Sequence, residues 1–257
     1  MRKVLALIFM LVAVFTVAAC GPSSTEASAY GVVHGHYVGV ADITVDKDGV
    51  VTDLTLEEYF LPYSWGKVDA SNADREDVLG VVGTRRGGDS SNTEDHVTTY
   101  YAKYLQIGDE LFTGAVTGDA GSQSIVYSTD DIADLDVYVE TEENAKWYVD
   151  QILAEEVYIA NEDGTENTEL ETIESDASSV TLNKSDSGYW STGDRGWLGN
   201  RDATVDAIIG LNLSEEFTTV RGEDNFWSIN DTVTGATWSD FNDYFNLAQQ
   251  AYDNATE

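Results

Sequence analysis

Apolar and polar residues alternate in two neighbouring runs near the start of the chain. The first run covers Tyr37 to Val45 and the second covers Val50 to Tyr59, with Asp46-Lys47-Asp48-Gly49 between them. Alternation places apolar side chains on one face of a β-strand, and an Asp-Gly pair is a strong signal for a tight turn. The pattern therefore predicts a β-hairpin.

Two later segments have the period of an amphipathic helix. Trp238 to Asn254 places apolar residues at intervals of three and four, and Glu142 to Glu155 has a broad apolar face with acidic residues between. Such spacing gathers apolar side chains on one side of a helix. We expect both segments to be helices, and the helix from Trp238 to Asn254 to close the domain at its C-terminus.

The rest of the chain has weaker patterns. Lys67 to Val97 is mostly polar and predicts a long surface excursion, and Asn161 to Ser179 predicts a connection or an exposed hairpin. Val97 to Leu105 fits a helix and a strand equally poorly, so both remain open. Together these elements predict an α+β fold, a twisted and mainly antiparallel sheet packed by a few helices.

The N-terminus has the layout of a secretory signal. Two basic residues precede an apolar run from Val4 to Ala19, which is shorter than the roughly 18 residues expected of a spanning helix. Val17-Ala18-Ala19-Cys20 resembles the signal of bacterial lipoproteins, in which a pair of small residues precedes a cysteine that is lipidated. The resemblance implies that residues 1–19 are removed and that Cys20 carries the lipid.

The single cysteine agrees with this expectation. Because Cys20 has no second cysteine to pair with, it cannot form an internal disulfide. An ordinary cleaved signal with a chance cysteine is the alternative. Residues 20–30 are small and polar and predict a tether, and residues 31–257 form one elaborated domain. We expect the protein to be held by lipid alone at the outer face of a membrane, at the cell surface or in a periplasm.

The chain is strongly acidic, with 47 Asp and Glu against 13 Lys and Arg and a formal net charge of −34. Such a surface repels nucleic acid and anionic headgroups, so neither is an expected partner. The loop at Asp46 does not have calcium-ligand spacing, because Thr44 and Thr55 stand where carboxylates would be needed. The three histidines show no metal-ligand spacing either, and we expect no metal site.

A short motif stands immediately before the predicted C-terminal helix, Asp231-Thr232-Val233-Thr234-Gly235-Ala236-Thr237. Here the sequence resembles the FMN-binding domain family, whose pattern is Asp, two variable residues, Ser or Thr, Gly, Ala, and Ser or Thr. All five fixed positions match. The resemblance implies that a flavin transferase links the phosphate of FMN to the hydroxyl of Thr237 as a phosphoester. It implies that the cofactor and the transferase also need Asp231, Thr234, Gly235 and Ala236.

Physical chemistry allows two interpretations of this motif. A phosphate at the first turn of a helix meets free backbone N–H groups and the positive end of the helix dipole, and Gly235 with Ala236 permits close approach. The alternative is a capping box, with Thr237 as N-cap and Asp240 at the third helical position. A capping box requires neither Asp231 nor the Gly-Ala pair, which favours the flavin interpretation.

The resemblance covers the two ends of the domain. An opening hairpin and a helix after the motif match it, whereas the middle from about Gly66 to Ser228 is only loosely accounted for. This middle is either an insertion or the remains of a second copy, because Glu110-Leu111-Phe112-Thr113-Gly114-Ala115-Val116 repeats Thr-Gly-Ala. That repeat has Glu110 in place of aspartate and no hydroxyl at Val116, so we expect one flavin.

Two aromatic segments are candidates for contact with the flavin ring. Leu61-Pro62-Tyr63-Ser64-Trp65 follows the hairpin, and Tyr189 to Arg201 is rich in Trp, Gly and Arg. Aromatic contacts shield a flavin and tune its potential. Packing against the core is the alternative for both segments.

The expected function follows from the cofactor. A flavin accepts two electrons and can release them singly, so a lipid-anchored flavoprotein can connect a membrane electron donor to an external acceptor. We expect an electron carrier in extracellular or transmembrane electron transfer rather than an enzyme with its own substrate. A cofactor-free ligand-binding or adhesive lipoprotein is one alternative, and a reductase of a specific acceptor is another.

Replacement of the anchor cysteine tests the proposed attachment. We expect Cys20→Ser to be released into the medium or periplasm while it still carries flavin, because only acyl chains would hold the protein at the membrane. Membrane and soluble fractions of the wild type and the variant provide the measurement. A Cys20→Ser protein that stays in the membrane fraction would show that something other than lipid anchors it.

Overall fold

The computed structural model describes residues 24–35, 37–170, 173, 182–188, 190 and 195–257. Several antiparallel sheets and helices occur in this part of the chain, which confirms the α+β class. Cys20 and the rest of the predicted signal lie outside the described residues, as does Tyr189. No helix in the described ranges is long and apolar enough to span a membrane.

A three-stranded antiparallel meander forms the first layer. Its strands are β1 (Ser24–Val33), β2 (Tyr37–Asp46) and β3 (Val51–Phe60), paired in the order β1-β2-β3. The predicted hairpin is confirmed as β2 and β3. Its turn is held by Asp46, whose Oδ1 accepts hydrogen bonds of 2.9 Å from the backbone N–H groups of Asp48 and Val50.

The predicted tether is wrong in its second part. Residues 24–30 belong to strand β1, which pairs with β2 along its whole length from Ser24 to Val33. Small side chains in this segment allow close packing rather than a loose chain, since Ala29 is fully buried. The C-terminal helix and a second helix both pack against β1.

The last helix, α6 (Phe241–Thr256), lies across β1 and β2. Gly39 permits this close approach, because a Cβ there would lie 2.7 Å from Val33 Cγ1 and 3.0 Å from Leu247 Cδ2. The buried face of the helix carries predicted aromatic and small residues, which are Phe241, Tyr244, Phe245, Ala248, Ala251 and Tyr252. It also buries Leu247 and Ala255, which the sequence pattern did not include.

The predicted start of this helix at Trp238 is wrong. The helix begins at Phe241 with Asp240 as N-cap, and the Asp240 side chain makes no capping hydrogen bond. The backbone N–H groups of Thr237 and Trp238 instead donate to the side chain of Asn200. The capping box of Thr237 and Asp240, which was the alternative interpretation of the motif, is therefore absent from this end of the helix.

The middle of the chain adds two further sheets. One has the order β4-β6-β5, from β4 (Lys67–Val68), β5 (Val78–Thr84) and β6 (His96–Ala102). The other has the order β10-β7-β8-β9, from β7 (Tyr104–Ile107), β8 (Glu110–Thr117), β9 (Ser124–Ser128) and β10 (Val157–Ile159). The second Thr-Gly-Ala sequence lies in β8.

This arrangement corrects one prediction and resolves another. The segment from Lys67 to Val97 is not only a surface excursion, because β5 lies within it and buries Val78 and Val81. The segment from Val97 to Leu105 is strand, divided between β6 and β7.

Three helices pack around these sheets: α1 (Pro62–Trp65), α2 (Leu135–Tyr138) and α3 (Glu142–Leu153). The last confirms the helix predicted from Glu142. Buried Tyr148 joins α3 to the meander, since its hydroxyl donates to Phe60 O at 2.7 Å and accepts from Trp65 Nε1 at 2.9 Å. Leu61 and Trp65 are thus core residues, as in the alternative interpretation of that segment.

The C-terminal part contains α4 (Lys184–Ser187), α5 (Gly196–Ile208) and a small sheet of β11 (Thr219–Arg221), β12 (Trp227–Ile229) and β13 (Thr232–Val233). Helices α4 and α5 both pack on β3. Backbone hydrogen bonds tie this part to β3 at both ends, from Phe60 N to Leu182 O and from Val51 N to Leu211 O. The motif thus lies between β12 and α6.

Candidate functional site

The motif begins in a tight turn. Asn230 and Asp231 have φ angles of 45° and 67° and connect β12 to β13, where Ile229 pairs with Thr232. Two positive φ values in a two-residue loop are the signature of a type I′ turn, which Asn and Asp tolerate. Asp231 is exposed at the tip of this turn.

Thr234 supports the loop that follows. Its backbone N–H and its hydroxyl both donate to Trp227 O, at 2.8 and 2.9 Å, and its hydroxyl oxygen accepts from Ala236 N at 3.0 Å. A return bond runs from Trp227 N to Ala236 O at 2.9 Å. The hydroxyl at this motif position therefore closes the loop.

Gly235 and Ala236 lie at positions where a larger side chain would be strained or would clash. Gly235 has a φ of 85°, and a Cβ there would lie 3.4 Å from Arg195 Nη1. Such a φ is strained for any residue with a side chain. Ala236 is fully buried, so a larger side chain would have to displace its neighbours. Both small residues are required by the loop itself.

Asn200 positions Thr237. Its buried Oδ1 accepts three hydrogen bonds, from Thr237 N at 2.6 Å, Thr237 Oγ1 at 3.1 Å and Trp238 N at 3.1 Å. Its Nδ2 donates to Gly196 O at 2.7 Å, which determines the orientation of the amide. The hydroxyl of Thr237 is therefore held in one direction by a fully buried side chain on α5.

A cleft of about 560 Å³ opens beside Thr237. This volume lies within the range of about 300–1,000 Å³ that is usual for ligand sites. Helices, the β5–β6 loop and the motif all contribute to its wall, which is lined by His34, Arg86, Lys184, Trp190, Trp197, Arg221, Thr237, Trp238, Ser239 and Tyr244.

The cleft is basic although the protein is acidic. Arg86, Lys184 and Arg221 are three of the chain's 13 Lys and Arg residues, and the described lining contains no Asp or Glu. Arg221 Nη2 donates to Thr237 O at 3.0 Å, which places its guanidinium beside the motif. His34 Nδ1 contacts Asp240 Oδ2 at the edge of the cleft. An anionic ligand would find several basic side chains here, in a protein whose net charge is −34.

Aromatic rings form a second part of the wall. The rings of Trp238 and Tyr244 stack with centroids 3.9 Å apart and an interplanar angle of 9°, and Trp197 lies 6.4 Å from Trp238. Trp190 is 46 % exposed. In the described part of the chain, the buried side-chain polar atom without a hydrogen-bond partner is Trp238 Nε1. Such orphaned donors are rare and call for an explanation.

A buried charge cluster lies behind this wall. Glu58 on β3 is fully buried and forms an ion pair with Lys184, while its Oε1 accepts from Trp197 Nε1 at 2.9 Å and from the Tyr244 hydroxyl. Burial lowers the pKa of the Lys184 ammonium, although Glu58 opposes the shift. Burial and the Glu58 charge together raise the pKa of Tyr244 far above its ordinary value.

The surroundings of Thr237 differ from those expected. The helix start is four residues away at Phe241, so the argument that a phosphate on Thr237 meets the first helical turn is wrong. Instead of a helix N-terminus, basic side chains from distant segments lie near Thr237. In the described part of the segment from Tyr189 to Arg201, Trp197 is buried in the core, as the packing interpretation expects. It also lines the cleft with Trp190. Leu61 to Trp65 does not line the cleft.

Most of the cleft was missed by sequence reasoning. Asn200, Glu58, Lys184, Arg86 and Arg221 carry no pattern that separates them from ordinary polar residues. Only the unusual Trp, Gly and Arg content before Arg201 marked part of it. No cluster of metal-ligating side chains occurs among the residues that the structure describes.

Comparison with known proteins finds no match. No protein-family model, no curated protein and no solved structure is significantly similar to the chain. The cleft and the motif therefore have to be interpreted from their own chemistry.

Removal of the Asn200 side chain tests whether it holds the motif. Asn200→Ala leaves the backbone N–H groups of Thr237 and Trp238 without their acceptor, at a cost of about 1–3 kcal/mol for each buried group left unpaired. We expect lower stability in chemical denaturation and faster amide exchange at both residues.

The matched control is Asn242→Ala, which removes an exposed amide that accepts from Thr219 Oγ1 at 2.7 Å. Its stability should stay near that of the wild type. Equal destabilisation by the two substitutions would contradict the role assigned to Asn200.

Proposed function

We propose that the protein carries one FMN, attached through its phosphate to Thr237, and acts as an electron carrier at the outer face of a membrane. The observation that carries this proposal is the placement of Thr237 on the wall of a basic, aromatic cleft in a protein of net charge −34. A chance motif at a helix entrance would need neither the positive charge nor the aromatic wall.

The charges of the cleft suit the phosphate. Arg221 is already bonded to the carbonyl oxygen of Thr237, and Arg86 lies on the β5–β6 loop that reaches the same cleft. Guanidinium groups bind phosphate by paired, charge-assisted hydrogen bonds. These two residues would hold the phosphate end of the cofactor, and the loss of one donor to Asn200 on esterification leaves its two backbone donors in place.

The aromatic wall suits the ring. Trp238, Tyr244 and Trp190 line the cleft, and contact with aromatic side chains stabilises planar ligands. The unpaired Nε1 of Trp238 adds a polar group that a heterocycle with carbonyl oxygens and ring nitrogens would match. When bound, FMN would supply the transfer of one or two electrons.

The partners of this proposal are a flavin transferase, a membrane electron donor and an external acceptor. Asp231 projects into solvent from the turn tip, where another protein can contact it. A lipid on Cys20 would keep the cofactor near the membrane, and the acidic surface would keep it away from anionic headgroups. A cofactor-free ligand-binding lipoprotein is the outcome that remains if no flavin is attached.

Substitution of Thr237 is the test of attachment. After co-expression with a flavin transferase, we expect the wild type and Thr237→Ser to carry one covalent FMN and Thr237→Ala to carry none. The alanine variant should stay folded, because one lost hydrogen bond costs about 0.5–1.5 kcal/mol against a typical stability of about 5–15 kcal/mol. Intact mass and flavin fluorescence of denatured protein give the result.

The matched control is Val116→Thr, which supplies the hydroxyl missing from the second Thr-Gly-Ala sequence. It should gain no flavin, because Val116 lies within strand β8 and pairs with Ile125. Covalent flavin on Thr237→Ala, or on a peptide that does not contain Thr237, would refute the assignment.

Substitution of Asp231 separates recognition from folding. Asp231→Asn removes the charge but keeps a side chain that tolerates the positive φ, so stability should be unchanged. We expect the fraction of flavin-loaded protein to fall several-fold at limiting transferase, measured by intact mass. Glu223→Gln, at an exposed position in the neighbouring loop, is the control and should load normally. Normal loading of Asp231→Asn would remove this residue from the recognition site.

A further inference from the structure

The proposed attachment of FMN to Thr237 does not use the buried ion pair of Glu58 and Lys184. The two side chains are 0 % and 4 % exposed. Removing two charges from water costs several kcal/mol for each ion in general, and well-packed apolar residues often serve stability equally well. Perturbed charges of this kind concentrate at functional sites. The pair therefore points to a function in the cleft that it adjoins.

The two charges differ in their relation to the cleft. Lys184 is part of the wall, whereas Glu58 lies behind it and is not among the described lining residues. The ammonium Nζ lies 3.5 Å from the centre of the Tyr37 ring and 6.0 Å from that of Trp197. Lys184 thus forms part of the wall of the ligand space, with its ammonium beside these rings, whereas Glu58 belongs to the core.

Glu58 has three hydrogen-bond donors. Its carboxylate receives hydrogen bonds from Lys184 on α4, Trp197 on α5 and Tyr244 on α6. Three donors on one carboxylate disperse its charge, so Lys184 is not its only stabilising partner. Rotation of the ammonium away from Glu58 is also limited, because aromatic rings surround it.

The ammonium is stabilised less in this position than in water. Burial lowers the pKa of Lys184 despite the opposing effect of Glu58 and, more weakly, of Asp240 and Glu57. A further negative charge in the cleft would stabilise the ammonium. By reciprocity, the ammonium favours whichever form of a ligand carries that negative charge.

We propose that Lys184, held at the cleft wall by Glu58, sets the electron affinity of the flavin by stabilising the negative charge that the ring gains on reduction. The inference rests on the proposed function. Two electrons leave the donor, which is oxidised, and enter the ring, which is reduced. Any proton taken up comes from solvent, and Lys184 keeps its own.

Opposite charge changes provide the test. The reduction potential of the flavin-loaded full chain is measured at pH 7 for the wild type, Lys184→Met and Glu58→Gln. We expect Lys184→Met to weaken the reduced form about tenfold relative to the oxidised form, a shift of about 30 mV to more negative potential for a two-electron couple. Glu58→Gln should shift the potential in the positive direction, because the ammonium then lacks its counter-charge.

The control is Lys47→Met, which makes the same charge change at an exposed lysine of the β2–β3 turn. It should leave the potential unchanged. If Lys184→Met does not fold because Glu58 is left unpaired, the double variant Glu58→Gln with Lys184→Met is compared with Glu58→Gln alone. Loss of the ammonium between these two should again shift the potential by about 30 mV to more negative values, which is a tenfold weakening of the reduced form.

Shifts of the same sign in both single variants would show that the pair only shapes the cleft, and the inference would be overturned. The absence of any shift would overturn it as well.

Intact mass reports separately on the proposed function. If the wild type carries no covalent flavin, oxidised and reduced free FMN are titrated into the same variants. Opposite changes in their affinity ratio would then support the inference alone, and no binding would overturn both.

Discussion

The buried carboxylate of Glu58 is the constraint on which the C-terminal part of the structure depends. A charge that is fully removed from water must be neutralised and hydrogen-bonded, and its donors come from three different helices. Helices α4, α5 and α6 can satisfy it only when all three pack on β3 together. The cleft is the space that they leave between them, so one carboxylate in the core determines where a ligand can sit.

Much of the fold was predictable because neighbouring residues determine it. The β2–β3 hairpin needs only alternation and an Asp-Gly turn, and α3 needs only a periodic apolar face after its N-cap Thr141. Strand β5 was missed because its partner β6 begins a dozen residues later and only Val78 and Val81 are buried. The start of α6 was misplaced because a side chain on another helix, Asn200, takes up the backbone donors that a helix would have used.

The site was predictable only where it is local. The motif from Asp231 to Thr237 is contiguous, so the sequence could mark it. The turn at Asp231 and the loop closure by Thr234 became visible only in the structure. The wall opposite Thr237 comes from residues as far apart as Arg86 and Lys184. Their convergence depends on sheet pairing and helix packing across the whole domain, which no short window of sequence contains.

The early start of strand β1 limits how far the domain could stand from a membrane. Four residue steps separate Cys20 from Ser24, and a fully extended chain covers at most about 3.6 Å per residue, or roughly 14 Å in all. With a lipid on Cys20, the start of the domain would therefore stay within roughly 14 Å of the lipid. If the protein carries a flavin, its redox partners would then have to place their own cofactors close to the membrane surface, because the short connection would not let this domain move far from it.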